Sequence, residues 1–142
     1  MTTIRNILIC IGAYWLTRWL VGPLDLLFSK FTDRIIYGDS VLYAIAMGVA
    51  TSLPRTVAAI LAGVLIVFIA IDVNPERWSL LVAALYVLFS GLRVHWVLPP
   101  TPWYRVWQIT NVLFPAIACI IAAFATAAIR GKRSRAERVP AT

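Results

Sequence analysis

Charge is scarce in this chain. Of its 142 residues 13% are Asp, Glu, Lys or Arg, against roughly 25% in an ordinary water-soluble domain. Two cysteines, Cys10 and Cys119, are too few for a disulfide-stapled scaffold. One histidine, His95, cannot supply a haem pair, and with two cysteines in separate apolar segments it cannot build a zinc site. The G-x-S-x-G, H-E-x-x-H, phosphate-loop and dinucleotide signatures are all missing. No Asp or Glu lies deep within an apolar segment, which argues against a proton-coupled carrier built on a membrane carboxylate. These absences predict a protein that is not an enzyme, with no catalytic residues, no metal and no cofactor.

What is present is apolar. Hydrophobic residues make up 61% of the chain, and the mean hydropathy is +0.85. The composition predicts an all-α integral membrane protein with a single transmembrane domain over 1–129, followed by a basic tail over 130–142.

Four spans are expected, at about 4–21, 53–71, 78–98 and 103–129. The first resembles a secretory signal but has no small-x-small cleavage site at its end, so it is read as an uncleaved span closed by Gly22-Pro23. Over 23–37, Leu24, Leu27, Phe28, Phe31 and Ile35 recur at helical spacing opposite Asp25, Ser29, Thr32 and Asp33, predicting an amphipathic helix lying in the interface. The apolar stretch 41–71 would make about 46 Å of helix against a hydrocarbon core of roughly 30 Å. Ser52 as a cap and Pro54 as a helix opener suggest dividing it into a half-inserted segment, 41–50, and a span. One long tilted, kinked helix is the alternative, and a crossing by 41–50 would give five spans. Asn74 with Pro75, and Thr101 with Pro102, are expected to start the last two helices, with a kink before Pro115.

The net charge of +7 is concentrated at one end, in Arg130, Lys132, Arg133, Arg135 and Arg138. A basic tail behind an apolar segment points to the cytoplasm, so both termini are expected there, with the protein in the cell (inner) membrane. Such a tail also favours anionic lipid; it is too short to build a nucleic-acid groove, and no nucleic acid is expected as a partner. Trp15, Trp19, Trp96, Trp103 and Trp107 then fall toward the outer boundary and Trp78 toward the inner one.

This threading brings cations to one outer level: Arg18, Arg55, Arg93 and Arg105, with His95 beside them. Arginine near mid-bilayer costs about 2.5–3.5 kcal/mol on insertion scales, so the placement calls for a reason. Either the guanidinium groups snorkel to lipid phosphates and pair with Asp25, Asp33 and Asp39, or they converge between the spans on an anion. Small residues four apart (Ala44/Gly48, Ala46/Ala50, Ala59/Gly63, Ala118/Ala122/Thr126) predict close helix packing. Three functions fit these features. The first is a non-enzymatic subunit or accessory protein acting on membrane lipids, a membrane-protein partner or a second copy of itself. The second is a flippase-type carrier of an anionic lipid or small anion, and the third is a holin or immunity protein.

Overall fold

The computed structural model describes residues 2–32, 40–70, 72, 74–93 and 102–136. Four helices run through them: α1 (Thr2–Thr32), α2 (Val41–Ile69), α3 (Ser79–Arg93, entered through a 3₁₀ turn at Pro75–Trp78) and α4 (Pro102–Ala136). Three stretches are long and apolar enough to cross a membrane: Thr2–Phe28, Val41–Ile69 and Trp103–Gly131. The remaining expected span, about 78–98, is not among them: its described part is α3, whose 15 residues make about 22 Å of helix, and residues 94–98 lie outside the described part.

The surface of the bundle is inverted relative to a soluble protein. Leu8, Trp19, Leu42, Phe68 and Ile121 are exposed, while Asn6, Thr17, Ser52, Thr56, Gln108 and Asn111 are buried. In hydrocarbon, apolar groups gain nothing by hiding and polar groups gain everything. The architecture is that of a membrane protein.

Two expected breaks are absent. α1 passes straight through Gly22-Pro23, so the first span and residues 23–32 of the expected interfacial helix are one helix; residues 33–37 lie outside the described part. α2 likewise continues through Pro54, joining the expected half-inserted segment to the span. The reason is the solvent. An interior proline costs about 3 kcal/mol, but ending a helix in an apolar medium strands several backbone groups at several kcal/mol each. Ser52 therefore does not cap. Its hydroxyl donates back to the Val49 carbonyl at 2.9 Å, and the cap of α2 is Ser40, whose Oγ accepts from the Tyr43 N–H at 3.2 Å. Asn74 makes no side-chain cap either. Asp72 organises that turn, accepting from the Asn74 N–H at 3.3 Å and the Trp78 indole at 2.8 Å. α4 starts at Pro102 as expected but runs beyond Ile129 into the basic segment.

Cross-helix contacts fix the directions. Cys10 Sγ donates to the Trp78 carbonyl and Thr17 bonds Tyr86, so α1 and α3 are parallel. Gly48 meets Trp107 and Thr110, Gly63 meets Cys119, and Arg130 reaches Val67, so α2 and α4 are parallel. The short turn between α2 and α3 makes the two pairs antiparallel to each other. Thr2 and Ala136 thus share one end of an up-down-up-down bundle. The half nearer that end is filled by a cluster including Cys10, Tyr14, Ala62, Ile66, Val82 and Cys119. In the other half the described residues leave space between the helices.

Candidate functional site

In that other half the helices line a partly open cavity of about 390 Å³. Each helix contributes residues at helical spacing: Tyr14, Arg18, Val21 and Asp25 from α1; Arg55 from α2; Tyr86, Phe89 and Ser90 from α3; and Tyr104, Trp107, Gln108 and Asn111 from α4. Each set lies on one stripe of its helix.

Arg55 is held by a chain of hydrogen bonds across the α2–α4 contact. Its Nη1 donates to Asn111 Oδ1 at 2.8 Å. Asn111 Nδ2 donates to Thr51 Oγ1 at 2.7 Å, and the Trp107 indole donates to the same oxygen at 3.2 Å. The Thr51 hydroxyl in turn donates to the Met47 carbonyl at 2.7 Å. The amide and the hydroxyl are thereby used on both their donor and acceptor sides. Arg55 uses one of its five N–H donors here, and among the described residues the other four have no partner. Close approach of the two helices makes this reach possible, because a Cβ on Gly48 would lie 2.7 Å from Thr110 Cβ.

Arg18 is half-buried on the facing wall. Among the described residues it makes no ion pair or side-chain hydrogen bond, and neither does Asp25, seven residues further along α1 at the exposed rim. Aromatic rings fill the walls between them. Tyr14 stacks on Phe89 with centroids 5.2 Å apart, and Tyr104 lies against Trp107 at 5.0 Å. Below the cavity the Thr17 and Tyr86 hydroxyls are 2.8 Å apart. Thr17 Oγ1 also lies 2.8 Å from the Ala13 carbonyl, so the floor is hydrogen-bonded as well as packed.

Of the five cations expected at one level, Arg18 and Arg55 share the cavity. Arg105 is exposed and is not part of its wall. The Arg93 side chain and His95 lie outside the described residues. Trp107, expected in the outer aromatic belt, turns inward to Thr51 instead, while Trp15, Trp19 and Trp103 are exposed. Sequence reasoning missed Tyr104, Gln108 and Asn111, although with Trp107 they form an i, i+3, i+4, i+7 stripe of polar-tipped residues in an apolar helix. Cys10 and Cys119, distant in sequence, meet in one packed cluster as free thiols.

The chain matches no protein-family model, no curated protein and no solved structure.

Proposed function

We propose that this protein is a small four-span protein of the cell membrane, with both termini in the cytoplasm, that binds a phosphate-bearing anionic headgroup in the Arg18/Arg55 cavity. One observation carries the reading: Arg18 and Arg55, from different helices, line a single cavity whose size, about 390 Å³, lies within the ~300–1,000 Å³ range of ligand pockets. Guanidinium groups match phosphate oxygens with paired N–H donors, and low-dielectric walls strengthen that contact. The four donors of Arg55 and the head of Arg18 that have no partner among the described residues give the bound group its ligands.

With both termini in the cytoplasm, the cavity occupies the outer half of the bundle, within reach of outer-leaflet headgroups. The packed cluster around Cys10, Ile66 and Cys119 closes the inner half, which supports a binding or accessory role over a carrier with a path to both sides.

The test is native mass spectrometry of the protein released from nanodiscs of mixed phospholipids. Wild type and Arg105→Gln retain bound phospholipid; Arg18→Gln and Arg55→Gln lose it, while Arg55→Lys keeps part. Equal retention by wild type, Arg18→Gln and Arg55→Gln overturns the proposal.

A further inference from the structure

The four helices carry the cavity's polar groups at one depth. Cys10 meets Trp78, Gly63 meets Cys119, and both cysteines belong to one packed cluster. One layer of the bundle thus takes a residue from α1, α2, α4 and the turn that opens α3. Eight residues from each of these toward the cavity stand Arg18, Arg55, Tyr86 and Asn111, and all four line it. Eight residues of helix rise about 12 Å, so these four form a second layer.

That second layer lies at the middle of the membrane. Arg55 is the central residue of α2 (Val41–Ile69), and it is the only charge in the sequence between Asp39 and Asp72. Asn111 stands about 12 Å of helix from Trp103, which is exposed at one end of the bundle, and Tyr86 stands as far from Trp78 at the other. Tryptophans favour the two membrane boundaries, and half of a ~30 Å hydrocarbon core is about 15 Å. Arg55 is held at this depth by Asn111 at 2.8 Å, whose amide is in turn tied to Thr51 at 2.7 Å.

The guanidinium of Arg55 therefore stays in place, and the charge that moves when the site fills is the ligand's. The packed cluster leaves no entry from the Trp78 end. Travelling from the Trp103 boundary to the guanidinium groups, a phosphate crosses roughly half of the thickness over which the membrane potential falls. One elementary charge crossing the whole potential shifts an equilibrium about fiftyfold per 100 mV, and crossing half of it shifts the equilibrium about sevenfold.

Resting on the anion-binding reading above, we infer that the membrane potential sets the occupancy of the Arg18/Arg55 cavity. A potential that is negative on the Trp78 side expels the anion, and the opposite potential draws it in. With Trp78 toward the cytoplasm, an energised membrane keeps the site emptier and collapse of the potential fills it. The phosphate comes from a lipid headgroup or from the free anion; the displacement of charge is the same.

The experiment uses the full-length protein in phosphatidylcholine liposomes, with potassium gradients and valinomycin setting the potential. The probe is phosphatidylglycerol with a photoactivatable acyl chain, added outside at a subsaturating amount, so that it reaches only molecules whose cavity faces outward. Crosslinked protein is read by mass spectrometry. Making the lumen positive by 100 mV is expected to raise crosslinking about sevenfold over zero potential, and making it negative by 100 mV to lower it about sevenfold. Arg55→Lys, which keeps a charge at the same depth, is expected to crosslink less with the same dependence on potential. Excess external inorganic phosphate that displaces the probe identifies the free anion as sufficient, and persistence of crosslinking identifies the lipid; both keep the inference. Wild-type crosslinking that ignores the potential, or follows it with the opposite sign, overturns the inference while leaving the anion site standing. Equal crosslinking of wild type and of Arg55→Gln, checked for monodispersity beside it, overturns the underlying reading instead.

Discussion

The backbone carbonyl of Cys119 occupies the place where a Cβ on Gly63 would sit. α2 and α4 approach each other so closely here that only glycine fits, and the obstructing atom is backbone, which cannot rotate away. The same closeness, repeated at Gly48, lets short side chains such as Thr51 and Asn111 bridge the two helices and hold Arg55. Packing at the glycines and chemistry at the cavity are therefore two consequences of one helix separation.

Gly63→Ala is expected to destabilise the protein by about 1–3 kcal/mol, the usual cost of overpacking, seen as a lower midpoint of thermal unfolding in detergent. Gly12→Ala is the control: a Cβ there meets nothing within 4 Å, and the midpoint should hold or rise, alanine being about 1 kcal/mol better than glycine within a helix. Equal loss in both variants contradicts the close α2–α4 contact.

Asn111→Asp separates fold from site. The new carboxylate accepts from Arg55 as the amide does, and Thr51 can turn its proton toward it, so stability should be maintained. Arg55 is then neutralised, and lipid retention should fall to the level of Arg55→Gln. Asn111→Leu should lose both, with about 1–3 kcal/mol lost from the Arg55 N–H left without its acceptor, while Thr51 keeps the Trp107 indole and the Met47 carbonyl.

Arg130 donates from Nη1 to the Val67 carbonyl at 2.8 Å, while its guanidinium lies over Phe68 at 5.6 Å. It supplies a donor and a positive charge where α2 ends and its last carbonyls have no helical partner. Arg130→Ala should lower the unfolding midpoint by the equivalent of about 1 kcal/mol without altering lipid retention. Coupled loss of both would place Arg130 in the site.

Threading is readable by cysteine labelling after Cys10→Ala and Cys119→Ala. Reporters replacing Thr2 and Asn74 should react from one side of the membrane and a reporter replacing Ser40 from the other. A reporter replacing Ser52, which is fully buried, should react from neither. Labelling of Ser52→Cys from either aqueous side would restore a break in α2. In the wild-type protein Cys10 and Cys119, both 0% exposed, should resist a membrane-permeant maleimide until the protein is denatured.

Composition and apolar runs determined the solvent this chain lives in, its helical class, and the positions of its long apolar segments. Pro75 and Pro102 marked helix starts correctly, and the unusual arginines Arg18 and Arg55 were visible as such. Tertiary structure decided the rest. The proline rules that predict breaks at Pro23 and Pro54 assume water to receive the freed backbone groups; hydrocarbon gives them none, so both helices continue. Periodicity also gives the angle between residues around one helix but not how that helix is turned toward its neighbours. That rotation is set where small residues such as Gly48 and Gly63 let helices close on one another. It alone turns Arg18, Arg55 and Asn111 into one cavity, leaves Arg105 outside, and brings Cys10 and Cys119 into one cluster.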